Sequence, residues 1–238
     1  MATTIKRAMI LAAGLGLRMR PLTDKLPKPL VEVGGRALID HALDRLQAAG
    51  VEEVVVNVHY RADQMEAHLR ARREPRIIIS DERNELLDTG GGALRALPHF
   101  HGEPFFYLNS DSIWREATRN TLRDMICAWN PAEMDALMLL ASTVQSTGYD
   151  GKGDFTMDQD GRLKRREEKR VASFVWAGVQ IIHPRLFDGA PKCPFSSNWL
   201  WDKAVETGRL YGIRLDGLWM HVGSPDGLAA AEAALAER

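Results

Sequence analysis

The apolar positions of this chain change period several times, and each change marks an element. Residues 8–13 form an almost unbroken apolar run that ends at Gly14, the pattern of a buried strand leading into a turn. Leu38, Ile39, Ala42, Leu43 and Leu46 then fall on one helical face, and Gly50 is placed to stop that helix. The β-branched run 54–58 predicts a second strand, and 77–79 a third. Between them, Asp63-Gln64-Met65-Glu66 has the form of a capping box with a carboxylate in place of the hydroxyl, and predicts a helix start. Residues 93–97 predict a short helix behind a glycine triplet. Residues 105–108 predict a fourth strand that stops at Asn109-Ser110-Asp111, 121–129 a helix and 137–141 a fifth strand.

This alternation of strand and helix predicts an α/β fold with a mostly parallel sheet. After Thr143 the texture changes. Gly148, Gly151 and Gly153 mark a loop, and 155–157 and 163–165, split by Asp160-Gly161, predict a hairpin. A long strand is predicted over 174–182, a helix over 199–207, and short strands over 211–215 and 219–222. Ser224 and Pro225 stand as N-cap and first helical residue of an alanine-rich terminal helix. The reading is one domain over 1–238, with a nucleotide-type half to about residue 143 and a half built from antiparallel strands over 144–238.

Composition narrows the classes without choosing one. At 238 residues, the chain is long enough for one sizeable core. Its 31 basic and 32 acidic residues leave a net charge of −1, so nothing global points to nucleic acid or an anionic membrane. Cys127 and Cys193 lie far apart, in no metal-ligand spacing, and fit a reducing compartment. The apolar run at 8–13 is too short for a signal segment, and a cytoplasmic location is expected. Charge is uneven locally. Arg18, Arg20, Lys25, Lys28 and Arg36 form one basic cluster; Arg162, Lys164, Arg165, Arg166, Lys169 and Arg170 form another beside Glu167 and Glu168. Such clusters suit a small polyanion, and equally suit a solvated face.

Glycines directly after a buried strand let backbone N–H groups approach phosphate oxygens, so Leu11-Ala12-Ala13-Gly14-Leu15-Gly16 is the first candidate site. Gly14 and Gly16 alone fit a tight strand-exit turn as well. The dinucleotide fingerprint is excluded because Met19 stands where its third glycine belongs, and a Walker loop is excluded because no Gly-Lys-Ser/Thr follows. Arg18 adds a fork for phosphate, and Pro27-Lys28-Pro29 holds an ammonium on stiff backbone. Taken together, Gly14, Gly16, Arg18, Pro21-Leu22-Thr23 and Lys28-Pro29 resemble the signature of the sugar-1-phosphate nucleotidylyltransferases.

That resemblance extends over nearly the whole chain and carries its own expectations. It implies a Rossmann-like three-layer α/β/α fold with a mostly parallel mixed sheet. It implies that Arg18 and Lys28 act in catalysis. Leu11, Ala12, Ala13, Gly14, Gly16, Asp88, Thr89 and Gly91 would bind nucleotide. Asn109, Asp154, Glu168, Lys169 and Gly178 would bind the sugar phosphate. Asp111 matches the family's metal-binding aspartate. The chain departs from the pattern at His221, which stands where a second metal-binding aspartate is usual. Magnesium prefers oxygen ligands and imidazole suits softer ions, so Mg2+ is expected, with Mn2+ as the alternative. His221 could also bind phosphate, or be a partly buried strand residue.

The segment Thr89-Gly90-Gly91-Gly92 resembles the branch that includes the N-acetylmuramate 1-phosphate uridylyltransferases, which implies a cell-wall role in peptidoglycan recycling, with a capsule or lipopolysaccharide sugar as alternatives. The expected reaction joins a nucleoside triphosphate, UTP in that branch, to a sugar 1-phosphate and releases pyrophosphate. The partners are then small molecules, with no nucleic acid and no membrane; oligomeric state is not readable. Mannose or heptose 1-phosphate guanylyltransferases and choline-phosphate cytidylyltransferases share the opening motif and remain alternatives. So does a catalytically silent nucleotide-binding relative.

Overall fold

The computed structural model describes residues 4–237; residues 1–3 and 238, at the two ends of the expected domain, lie outside the described part. The first strand, β1 (Arg7–Leu11), ends before the predicted boundary, and Ala12 and Ala13 continue as irregular backbone. A small antiparallel pair, β2 (Glu32–Val33) and β3 (Arg36–Ala37), leads into α1 (Leu38–Ala48). The chain then runs through β4 (Glu53–Val58), α2 (Ala62–Leu69), β5 (Arg76–Asp81), α3 (Asp88–Ala96) and β6 (Phe105–Asn109). Strands β4 and β6 flank β1 in parallel, and β5 pairs with β4 in parallel. The chain thus leaves β1 to one side for β4 and β5, then returns to the other side for β6. In an open sheet such a reversal leaves a crevice at the carboxyl ends of the central strands.

After β6 come β7 (Ser112–Glu116), α4 (Thr121–Ala128) and β8 (Ala136–Ser142). The hairpin of β9 (Phe155–Met157) and β10 (Leu163–Arg165) follows, then β11 (Phe174–Ile182), as predicted. Last are α5 (Asn198–Glu206), β12 (Leu210–Arg214), β13 (Gly217–His221) and α6 (Pro225–Ala236). Strand β11 is antiparallel to both β6 and β8, and joins strands of the two chain halves in one nine-stranded sheet. The second half is not wholly antiparallel, since β12 pairs with β8 in parallel.

Alternation along β1 explains the layers. Ala8 and Ile10 point to a core closed by α1, α2 and α4, with Ile39, Leu43, Met65 and Leu122 among its members. Met9 points to the opposite core, closed by α3 and α5 through Ala93, Ala96, Leu200 and Ala204. Both faces of the sheet are therefore covered, which is the expected three-layer arrangement. A third cluster, with Met19, Val33, Ile113 and Met220, holds the β7–β13 pair and α6 against the N-terminal loop.

Three local expectations are corrected. Strand β7 has no counterpart in the sequence reading. The capping box does not form: α2 opens after Arg61 with no side-chain cap, and Asp63 and Glu66 instead accept from Arg83 at 2.6 and 2.7 Å. The glycine triplet does not precede α3 but lies within it. A Cβ at Gly90 would stand 2.9 Å from the carbonyl oxygen of Phe195, so the helix can lie there only without side chains. By contrast Ser224 caps α6 as predicted, accepting from Gly227 N–H at 3.2 Å.

The start of β8 is fastened by a buried carboxylate. Asp135 accepts from Arg185 at 2.6 Å and Arg209 at 2.9 Å, and both arginines also donate to carbonyls in the 131–134 turn. Burial by itself would raise the Asp135 carboxyl, but the bonds and charges of the two arginines outweigh it and hold the group below the usual range. A depressed carboxylate contributes stability that is present above its unfolded pKa and lost as pH falls through the folded value. Asp135→Asn should therefore lower stability at neutral pH by about 2–3 kcal/mol, below the cost for a fully buried pair because the guanidinia are partly exposed. Urea unfolding at pH 7 and in the acid range should show the difference shrinking as pH falls; a difference that persists at pH 2 contradicts this account.

Candidate functional site

The crevice predicted by the strand order is a cleft of about 700 Å3 at the carboxyl end of β1. Leu11, Ala12, Ala13, Gly14 and Gly16 form one wall, with Arg18 and Lys28 on the same segment. Gly16 has φ +65° and its carbonyl accepts from the Thr23 hydroxyl at 2.8 Å, so the loop is folded back on itself. Asp88 and Thr89, at the start of α3, form the facing wall. Thr89 is fixed from behind: its hydroxyl accepts from Ser197 N–H at 2.8 Å and its carbonyl from the Tyr107 hydroxyl at 2.9 Å. Asn109 and Asp111, at the end of β6, line the floor.

Lys28 and Asp111 meet there. The ammonium donates to Asp111 Oδ2 at 2.5 Å, across 83 residues of sequence. Their side chains are only 14% and 13% exposed, so the pair is largely withdrawn from water. Burial by itself would raise the Asp111 carboxyl, but the charge and hydrogen bond of Lys28 outweigh it and keep the group ionised. Its other oxygen, Oδ1, is buried with no hydrogen-bond partner among the described residues. A buried, ionised and unpartnered oxygen at the floor of this cleft fits a cation ligand.

His221, at the end of β13 in a pair with Ser112, lies near enough to Lys28 and Asp111 to feel their charges without lining the cleft itself. Gly223 lines the cleft and lies against the imidazole. Burial lowers the imidazole pKa; Asp111 opposes this, and Lys28 and Arg18 add to it. The ring is therefore neutral at pH 7, with a lone pair to offer. No group of three or more His, Cys, Asp or Glu that could hold a metal occurs among the described residues. Any metal here would draw its remaining ligands from substrate oxygens and water.

Several expected site residues do not line this cleft. Gly91 is buried within α3, outside the cleft lining, and its N–H donates to the Phe195 carbonyl at 3.1 Å. Asp154 uses Oδ2 to accept from Trp176 N–H at 3.0 Å, tying β9 to β11. Glu168 and Lys169 are exposed in the turn after β10, with Lys169 at φ +63°. Gly178 has φ +77°, and a Cβ there would stand 1.9 Å from Ser112 Oγ. The glycine is thus demanded by the chain's own packing beside Asn109. His221 stands behind Gly223.

The second basic cluster is largely spent within the protein. Arg165 pairs with Asp202, Arg170 with Glu167 and Arg162 with Asp160, while Arg166 donates to backbone carbonyls. Polar cleft residues outside the expected site set include Asn57, Glu82 and Ser110. For Asn57 the signal was present, because it is the one polar residue in the apolar run 54–58; Glu82 follows Ser80 and Asp81 and carried no such signal. Cys127 and Cys193 are free and exposed, in keeping with the absence of any expected disulfide. No described helix is long and apolar enough to cross a membrane.

A glycine loop facing a helix start, with a buried lysine and carboxylate between, is the arrangement of a protein that handles nucleoside phosphates at a topological switch point. The family described as nucleotidyl transferase matches residues 7–238, and the chain belongs to it. Relatives sharpen the comparison. The N-acetylmuramate alpha-1-phosphate uridylyltransferase of Caulobacter vibrioides is 49% identical over the full length of both chains. The enzyme of that name from Neisseria meningitidis serogroup B is 34% identical, covering 95% of this chain and 97% of its own. Among solved structures, the inositol-1-phosphate CTP transferase from T. maritima superposes with a TM-score of 0.78 over 100% of this chain and 98% of its own, at 17% identity, which shows the shared fold. The chain is a nucleotidyltransferase, and family members generally use a divalent metal.

Gly178→Ala should destabilise the fold by about 2–4 kcal/mol, combining the left-handed backbone with the overlap on Ser112. Thermal unfolding checks this; an unchanged melting temperature contradicts the packing account.

Proposed function

We propose that this cleft joins UTP to N-acetylmuramate 1-phosphate. A phosphate oxygen of the sugar attacks the α-phosphorus of UTP, the bond from that phosphorus to the bridging oxygen breaks, and pyrophosphate leaves. The observation that carries the reading is the Lys28–Asp111 pair beside the glycine loop. The substrates follow from the full-length 49% relative, whose name states them for that protein. A nucleotide-sugar product of this kind places the chain in the recovery of cell-wall sugar.

The attacking group is already an anion, so the reaction needs no general base. Its difficulty is to bring two polyanions together in line. In this reading the Gly14–Gly16 loop and Arg18 hold the outer phosphates. Lys28 spends one of its three N–H donors on Asp111 and keeps two for oxygens at the α-phosphate. Leu11, Ala12, Ala13, Asp88 and Thr89 receive the nucleoside. Asn109 begins the acceptor side. From there β11 leads through Gly178 and Trp176 to Asp154 and to the exposed Glu168 and Lys169, which would meet the sugar from outside the cleft. A divalent ion, held by Asp111 with His221 beside it, would supply positive charge for the phosphate oxygens. Asp111 and phosphate oxygens suit Mg2+, and the neutral imidazole would favour Mn2+. The reading further places the protein in the cytoplasm, where UTP is found.

Pyrophosphate release should require one nucleotide and one sugar 1-phosphate together, in a matrix crossing UTP, GTP, CTP, ATP and dTTP with several sugar 1-phosphates and both metals. Release with GTP and mannose 1-phosphate would replace the proposed substrates. Nucleotide binding without release from any pair would support a silent relative. Lys28→Ala should lower kcat by about 10²–10³-fold with the fold intact, the usual scale for losing a transition-state donor. Near-normal turnover in that variant would remove Lys28 from the mechanism.

A further inference from the structure

Two buried polar side chains under the nucleotide wall have no part in the roles above. Asn57 interrupts the apolar run of β4 and Glu82 directly follows β5; both line the cleft, and they are 2% and 0% exposed. They form a continuous chain of hydrogen bonds. Ala12 N–H donates to Asn57 Oδ1 at 2.7 Å, Asn57 Nδ2 donates to Glu82 Oε1 at 2.8 Å, and Leu87 N–H donates to Glu82 Oε2 at 3.4 Å. The Glu82 carbonyl is bonded in turn to His59 Nδ1 at 2.6 Å. Helix α3 closes over the pair at Gly92, where a Cβ would stand 2.8 Å from Glu82 Oε1 and 2.9 Å from Asn57 Nδ2.

A buried carboxylate is costly unless it is bonded, and an apolar pair would fill this space more cheaply. What the polar pair adds is direction. One end grips the Ala12 peptide, the first after β1 to enter the glycine loop. The other grips Leu87 N–H, immediately before Asp88 and Thr89. The two walls of the cleft are therefore connected through two side chains, with the amide of Asn57 oriented by a donor on one side and an acceptor on the other.

We infer that Asn57 and Glu82 are positioning residues for the nucleotide: the pair sets the separation and orientation of the two cleft walls that receive it. The inference rests on the cleft being the nucleotide site. Neither residue is placed against the reacting atoms, so the pair acts on nucleotide affinity and KM far more than on kcat.

A reciprocal exchange tests this. In Asn57→Asp the new carboxyl still accepts from Ala12 N–H but meets Glu82, already raised by burial, as a second acid. At low pH a proton shared between them can stand in for the lost amide donor; at high pH, where binding is measured, two carboxylates repel with no donor between them. In the double variant Asn57→Asp/Glu82→Gln, the glutamine amide supplies that donor and the bond is restored in the opposite direction. Binding of UTP with Mg2+ is measured by calorimetry for the wild type, both single variants and the double, with thermal melting and steady-state kinetics in parallel. Asn57→Asp should weaken UTP binding by about tenfold or more and raise the KM for UTP comparably, with kcat within about threefold, and the double variant should recover to within about threefold of wild type. Three outcomes overturn the inference. The first is wild-type UTP binding by Asn57→Asp. The second is a double variant as weak as the single. The third is a fall in melting temperature with wild-type affinity in the folded protein, which makes the pair purely structural. If the wild type itself binds none of the five nucleoside triphosphates, the cleft assignment fails and this inference fails with it; a wild type that binds while the variants do not differ sinks the inference alone.

Discussion

The ammonium of Lys28 on the carboxylate of Asp111 joins a segment just after the glycine loop to the end of β6. The contact is mostly withdrawn from water, where a charge pair is strong but each partner is costly without the other. It forms because β1 and β6 are parallel neighbours, so their carboxyl ends come out side by side. The prolines flanking Lys28 and the short 3-10 turn it opens keep its backbone at that distance. The charges also shape their surroundings. Asp111 stays ionised with one oxygen unpartnered, and half-buried His221 stays neutral near it. The same floor thus presents positive charge to phosphate and an oxygen ligand to a cation.

Around this contact the molecule divides its labour between rigid backing and open face. The nucleotide walls are fastened from behind, Ala12 by Asn57 and Thr89 by Tyr107 and Ser197, so that few cleft groups depend on solvent-exposed bonds for their position. Absent side chains matter as much. Gly90 and Gly92 let α3 lie directly on its neighbours, and Gly178 lets β11 bend beside Ser112 where β6 ends. The region after β10 is looser: Asp154 is held to β11, but Glu168 and Lys169 stand in solvent.

Far from the cleft, the 135–209 region shows the same economy of charge. One buried carboxylate collects two arginines and, through them, the carbonyls of the turn before β8. That clamp holds the start of β8 and of β12, two of the strands that extend the sheet beyond β11. The sheet in turn carries Trp176 and Gly178 to the edge of the cleft.

The sequence by itself determined the alternating elements, the mostly parallel sheet and the glycine loop, lysine and aspartate that come to line one cleft. Those features are written in short-range terms: apolar period, glycine after a strand, proline beside lysine, serine before proline. Residues 174–182 and the hairpin were legible for that reason. Only the tertiary structure decided which polar residues meet. Lys28 finds Asp111, Asn57 finds Glu82, and Asp135 finds its arginines across separations that no local pattern encodes. It also gave Gly91, Gly178 and several arginines of the 162–170 run partners within the chain, because a glycine or an arginine reads the same whether it serves a ligand, a neighbouring segment or both. Strand β7 was missed because its polar flanks hide a pairing with β13 that forms 100 residues later in the chain. The physical reason is common to all of these: hydrophobic period reports which face of an element is buried, whereas hydrogen bonds and ion pairs depend on where other elements place their partners.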